Sequence, residues 1–307
     1  MKKPPKLLVV GSINMDLVLE TSRMPKPGES LLGERFSKHP GGKGANQAVA
    51  AARAGGRVWF YGKTGRDREG EFLIQALRDE GIETVTLGID ENAPTGMAVI
   101  LLEPDGENRI LVYPGANLEL SAGGLETVFK AGNDDFDAVL LSFEIPVEVI
   151  EGVIAEAKSA AVPVYIDAGP ARPVARDVLK EVTLLSPNET EMEALTGRAC
   201  VTDEEVEAAA GELFRELSPQ YLLVKRGGRG ALLVTPEGAK QYPAFPVEAR
   251  DTTAAGDAFT ATAAVRLLSG RPADEAVRYA SAAGALAASR LGAQSSLPTL
   301  AEIEAFF

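Results

Sequence analysis

Short runs of branched and aromatic residues alternate along this chain with alanine-rich stretches of helical length, and this alternation restricts the fold more than any single motif. Leu7-Leu8-Val9-Val10 opens the series, and runs at 58–61, 138–141, 164–166, 183–185 and 222–224 follow. Each is short and almost wholly apolar, as expected of a strand buried on both faces. Between them the spacing predicts helices over about 44–54, 69–80, 147–160, 203–217, 257–269 and 273–290, with Gly55 and Gly81 placed to end two of them. Strand and helix in turn imply an α/β fold, a doubly wound, mostly parallel sheet flanked by helices.

Two stretches break the alternation. Residues 97–103 and 109–113 flank Pro104-Asp105-Gly106-Glu107, a strong turn sequence, and read as an antiparallel hairpin. With residues 17–20 and about 30–36 they would make a small separate sheet, a lid built from about 15–40 and 95–115 and inserted in a single domain spanning 1–307. An edge hairpin on the main sheet is the alternative reading.

Composition narrows the function. With 307 residues, 45% hydrophobic and 24% charged, the chain can bury a substantial core. The 44 acidic residues outnumber 31 Lys and Arg for a net charge of −13, which disfavours nucleic acid and anionic membrane surfaces as partners. A single cysteine, Cys200, and a single histidine, His39, exclude an intrachain disulfide, a multi-cysteine zinc site and two-histidine metal motifs. Acid–base chemistry therefore falls to a carboxylate. The apolar run at 7–10 is too short for a signal-peptide core or a membrane span, and the expectation is a cytoplasmic protein.

The segment Asp251-Thr252-Thr253-Ala254-Ala255-Gly256-Asp257 carries the most chemistry. Three small residues lead into an alanine-rich helix, so the amides of Ala254, Ala255, Gly256 and Asp257 can face an anion at the positive end of the helix dipole. Asp257 would stand beside that cradle, placed to take a proton from a hydroxyl attacking a phosphoryl group. A first-turn aspartate is equally often only a helix cap. Pro40-Gly41-Gly42-Lys43-Gly44-Ala45-Asn46-Gln47 also runs from glycines into a helix and would place Lys43 and Asn46 on one side of it, an arrangement suited to a polyhydroxylated ligand or simply to a tight turn. Asn14 and Asp16 follow the first strand, and Glu144 follows the strand near 138–142, at the carboxyl ends where open α/β sheets bind ligands. Asn188 and Glu191 could orient water around a magnesium–phosphate complex, or form a capping box. Lys225-Arg226-Gly227-Gly228-Arg229-Gly230 offers a nucleotide phosphate loop or a glycine turn between strands. Gly62-Lys63-Thr64 is no Walker motif, because Arg57 stands where that spacing needs glycine.

Taken in order, Gly11-Ser12-Ile13-Asn14-Met15-Asp16, Gly41-Gly42-Lys43-Gly44-Ala45-Asn46-Gln47-Ala48, Asn188-Glu189-Thr190-Glu191 and Asp251-Thr252-Thr253-Ala254-Ala255-Gly256-Asp257 resemble the ribokinase-like carbohydrate kinase family. The resemblance implies ATP-dependent phosphorylation of D-ribose at its 5-hydroxyl, with another sugar or nucleoside kinase of the same family, or a non-catalytic sugar-binding regulator, as alternatives. It assigns Asn14, Asp16, Gly42, Lys43, Asn46 and Glu144 to the sugar and makes Asp257 the base beside the 254–257 amides. It assigns Asn188, Lys225, Arg226, Gly227, Gly228, Gly230, Gly256 and Ser281 to ATP, and Glu191 to Mg2+ through water. It further implies a K+ ion at Asp251, Thr253, Ala287, Arg290, Gly292 and Ser296, and a homodimer formed through the lid. The chain departs from the family at Ser281, where a histidine is frequent, and at Lys225, where a small hydroxyl residue is usual.

Overall fold

The computed structural model describes residues 3–104, 108–130, 136–172 and 174–307. Its strands and helices, in chain order, begin with β1 (Lys6–Val10), β2 (Asn14–Glu20), β3 (Arg35–Gly41), α1 (Lys43–Arg53), β4 (Arg57–Tyr61), β5 (Lys63–Gly65), α2 (Arg68–Asp79), β6 (Gly88–Asp90), β7 (Gly96–Leu102) and β8 (Asn108–Tyr113). They continue with α3 (Leu125–Lys130), β9 (Ala138–Ser142), α4 (Val147–Ser159), β10 (Val164–Asp167), β11 (Leu184–Ser186), α5 (Glu189–Thr196) and α6 (Asp203–Leu217). The last are β12 (Tyr221–Lys225), β13 (Ala231–Thr235), β14 (Gly238–Tyr242), α7 (Ala255–Leu268), α8 (Ala273–Ala288) and α9 (Leu300–Glu304).

The main sheet runs β14-β13-β12-β11-β10-β9-β1-β4, parallel from β12 to β4, with β13 and β14 added antiparallel at one edge. Leu7 and Val9 of β1 enter one hydrophobic core and Leu8 and Val10 the other, so the strand is buried on both faces and its sequence reads as an unbroken apolar run. The first core holds α1, α7 and α8, whose many alanines, among them Ala48, Ala261 and Ala283, let these helices pack closely against one another and the sheet. The second holds α4 and α6. Chain order runs outward from β1 to β4 on one side and from β9 to β12 on the other, so the β1/β9 boundary is the switch point where such sheets open a crevice at their carboxyl ends.

A second sheet, β3-β2-β7-β8, stands apart from the first, and the hairpin expected around 97–113 belongs to it rather than to an edge of the main sheet. The turn expected at Pro104-Asp105-Gly106-Glu107 falls at 105–107 outside the described residues. One strand is displaced from expectation. The stretch 30–34 is irregular, and the strand lies at 35–41, where Asp16 pairs with His39 and Asn14 with Gly41. Gly55 and Gly81 do adopt positive φ behind their helices, at 98° and 73°. No helix among the described residues is long and apolar enough to cross a membrane.

Candidate active site

The site begins where β1 meets α1. A β-carbon on Gly44 would come within 2.5 Å of the Gly11 backbone, and Gly42, at φ 89°, would carry one 2.7 Å from the Asn14 nitrogen. Only glycine lets these backbones approach so closely. The contact sets Lys43 and Asn46 of α1 near Asn14 and Asp16 of β2. Glu144, just past β9, joins them by accepting from the Ser12 hydroxyl and from the Lys43 amide at 3.2 Å. Sequence reasoning missed Asn117, in the turn Gly115–Glu119. Its amide accepts from Ile13 N at 2.9 Å and donates to Asn14 Oδ1 at 2.8 Å, Pro114 O at 2.9 Å and Ile13 O at 3.2 Å, so it holds Asn14 in place.

Asp257, in the first turn of α7, is 3% exposed. It does not cap its own helix. Its Oδ2 accepts from Asn46 Nδ2 at 3.1 Å and its Oδ1 from Gln47 Nε2 at 3.0 Å, with Lys43 Nζ 3.8 Å away. The N-cap, Ala254, sits in the left-handed region at φ 60° and offers no capping side chain, which leaves the helix start without a side-chain acceptor. Of the expected amides, that of Ala255 already donates to Thr252 O at 3.2 Å. Asn46 Oδ1 and Gln47 Oε1 are buried without a protein donor, open acceptors next to the carboxylate.

Charge is concentrated here. Burial raises the Asp257 carboxyl above the usual range and Asp167 adds to the rise, against the opposing pull of Lys43, Asn46 and Gln47. Burial, then Glu144 and Asp257, push Asp16 up to about 7. Lys43 is driven up chiefly by Asp257, against burial. Asp167, the last residue of β10, is fully buried, yet Lys225 and Lys43 overcome the cost of burial and hold it below the ordinary carboxylate value.

On the far side of α7 a pocket of about 480 Å³ is lined by Lys225, Arg226, Gly227, Gly228, Gly230, Gly256 and Ser281, which brings together seven of the residues assigned to ATP. The Ser281 hydroxyl there is buried and unpartnered. Phe245, Val247 and Phe259 complete the wall, with no signal in the sequence to mark them. Asn188 stands outside this lining and forms a reciprocal capping box with Glu191, at 2.7 Å in both directions. The Arg226 guanidinium pairs with Glu189 and Asp203, which fixes the turn between β12 and β13. A second cleft, of about 770 Å³, runs from Asp16 and His39 under Val18 and Ile100 of the smaller sheet to Thr252 and Thr253.

Three of the residues assigned to K+, Asp251, Thr253 and Gly292, are joined by hydrogen bonds. Asp251 accepts from the Thr253 and Gly292 amides, each at 2.9 Å, and so ties the loop before α7 to the segment after α8. The Ser296 hydroxyl donates to Ala293 O at 2.7 Å, the Ala287 carbonyl accepts from Arg290 N at 3.1 Å, and the Arg290 side chain turns to Glu302. Among the described residues no group of three or more His, Cys, Asp or Glu side chains is arranged to hold a metal.

A buried carboxylate, Asp257, thus stands at an uncapped helix start with Asn46 and Gln47 on one side and a glycine-walled pocket on the other, and the comparisons place the chain among the carbohydrate kinases, which are phosphotransferases. The family model described as pfkB family carbohydrate kinase matches residues 4–300, and the chain belongs to that family. It is 36% identical over 302 residues to a ribokinase of Bacillus subtilis, covering 97% of this chain and 98% of that protein. It is 38% identical over 304 residues to a ribokinase of Arabidopsis thaliana, covering 96% of this chain and 79% of that protein. The fold superposes on the structure of Arabidopsis thaliana ribokinase complexed with ribose and ATP with a TM-score of 0.88, at 35% identity and 99% coverage of both chains.

Proposed function

We propose that this protein transfers the γ-phosphoryl group of ATP to the 5-hydroxyl of D-ribose, giving ribose 5-phosphate and ADP. One observation carries the reading: Asp257 lies between the hydroxyl-binding cluster and the pocket, with its carboxylate turned toward Asn46 and Gln47 and its amide in the open turn of α7. The sugar oxygen would bond to phosphorus as the bond to the β-phosphate oxygen breaks, the electron pair leaving with ADP and the hydroxyl proton passing to Asp257. The raised pKa of Asp257 suits a group that must accept that proton. Asn14, Asp16, Gly42, Lys43, Asn46 and Glu144 would bind the sugar, and the Gly256 and Asp257 amides would face the charge growing on the phosphoryl oxygens.

We also assign Mg2+ to the ATP phosphates, with Glu191 acting through water; an ion that keeps several of its waters fits a site without a protein carboxylate cage. We assign K+ to the loop before α7, as the family resemblance implies; Asp251 ties that loop to the segment after α8, and an ion held there would fix the direction of the amides that follow. The small sheet would close over the sugar. Phe36, Val99, Leu111 and Tyr113 are exposed on it, and they support a homodimer formed through it.

A panel of pentoses, hexoses and nucleosides assayed for ADP release with Mg2+ and K+ tests the reaction. D-Ribose should give the highest kcat/KM. A nucleoside preferred over ribose would overturn the substrate, and sugar binding without ADP release would overturn catalysis. Equal activity in sodium and potassium buffers would remove the K+ site, and a monomer at all concentrations in sedimentation would remove the dimer.

A further inference from the structure

Lys225 ends β12, and its ammonium lies 2.6 Å from Asp167 Oδ2 and 3.6 Å from Glu191 Oε2. Its side chain is 11% exposed, and what it does expose lines the nucleotide-side pocket with Gly228 and Ser281. The same Nζ stands 3.8 Å from where a β-carbon on Gly256 would lie, which places the charge against the uncapped first turn of α7. The guanidinium groups of the neighbouring cations, Arg226 and Arg229, are both engaged with Glu189 and Asp203. Lys43 approaches Asp257 from the sugar side, so Lys225 is the matching positive charge on the nucleotide side. Asp167 is also held by the Thr260 hydroxyl at 2.7 Å and the Gly169 amide at 3.0 Å, and it keeps partners if the ammonium turns toward the pocket.

We propose that Lys225 is a catalytic residue whose ammonium donates to an oxygen of the γ-phosphoryl group held at the start of α7. The proposal rests on the kinase reading above. The ammonium supplies positive charge where the phosphoryl oxygens crowd as the bond to ADP breaks, and Asp167, itself held by Thr260, anchors it beside that point.

The test is Lys225→Met in the full chain, with binding of ADP and of a non-hydrolysable ATP analogue measured by calorimetry beside the kinetics. The analogue should lose about tenfold or more in affinity while ADP stays within about twofold, and kcat should fall about a hundredfold with KM for ribose unchanged. ADP and analogue weakened alike, or neither weakened, would overturn the proposal, because a merely structural lysine cannot sense the third phosphate. The single variant leaves Asp167 buried without its main counter-charge. The double variant Lys225→Met/Asp167→Asn removes that charge, and it should still fail to discriminate the analogue from ADP; wild-type discrimination in it would also overturn the proposal. A wild-type protein that binds both nucleotides yet phosphorylates no sugar would instead sink the kinase reading, and the binding difference would still decide the role of Lys225.

Discussion

Replacing Asn117 should damage stability and sugar binding together, by amounts that its hydrogen bonds allow one to calculate. The side chain is 2% exposed and makes four hydrogen bonds, one accepted from Ile13 N and three donated to Asn14, Ile13 and Pro114. Asn117→Ala leaves the buried Ile13 N–H unpaired, at roughly 1–3 kcal/mol, and removes good bonds to Asn14 and Pro114 at about 1 kcal/mol each. The total is roughly 3–5 kcal/mol. An unfolding entropy of about 2.1 cal/mol/K per residue gives roughly 0.6 kcal/mol/K for a chain of this length, so Tm should fall by about 5–8 °C in calorimetry. Asn14 then loses its fixed rotamer, and KM for ribose should rise about tenfold while KM for ATP stays put. Asn117→Asp separates bonding from volume, because it keeps the bond from Ile13 N but sets a second oxygen against the carbonyls of Ile13 and Pro114. Its carboxyl would resist ionisation, so from about pH 5 to 8 this variant should lose stability more steeply than wild type, and Asn117→Ala should follow the wild-type slope. Unchanged Tm and ribose KM in the alanine variant, or an aspartate variant with the wild-type pH slope, would refute the assignment of Asn117 as the holder of Asn14.

Three further outcomes follow from the site. Asp257→Asn should retain ribose binding and lose about two to four orders of magnitude in kcat, and turnover within about threefold of wild type would remove Asp257 as the base. Asp16 titrates near 7 in the folded chain and near 4 when unfolded, so the unfolded chain releases its proton first and stability should fall as pH rises from about 4 to about 7, by up to about 4 kcal/mol. Asp16→Asn should flatten that decline in apoprotein melts, and parallel curves for the two proteins would contradict it. Gly42→Ala places a β-carbon 2.7 Å from the Asn14 nitrogen at a φ of 89°, so it should cost several kcal/mol and raise KM for ribose; wild-type behaviour would mean that the β1–α1 contact is looser than described.

Much of this architecture could be read from residue patterns, for identifiable reasons. β1 and α7 are buried all round, so Leu7-Leu8-Val9-Val10 and the alanines after Asp257 carry their burial openly in their composition. β14, Gly-Ala-Lys-Gln-Tyr, is a mostly exposed edge strand, and its polar residues conceal it. β3 lies later than expected because its segment, Arg-Phe-Ser-Lys-His-Pro-Gly, shows no regular alternation; its register is set by pairing with β2, which no local pattern reveals. The glycine-rich helix starts marked where ligands could approach, because backbone access needs small residues at fixed places. Asn117 and Asp167 escaped notice for the opposite reason: one lies in an irregular turn and the other ends an apolar strand, and each matters through partners brought near by the fold. Arg226 lines the nucleotide-side pocket, and the fold also pairs its guanidinium with Glu189 and Asp203, partners that its local sequence does not reveal.

Asp16 is the third residue of β2, and β2 pairs along its whole length with β3 on one side and β7 on the other. On the proposed reading, the hand that grips the sugar and the door over it are thus cut from one plank. Any tug on that carboxylate is felt by all four staves of the smaller sheet, so how firmly the guest is held and how long the entrance stays shut should rise and fall together.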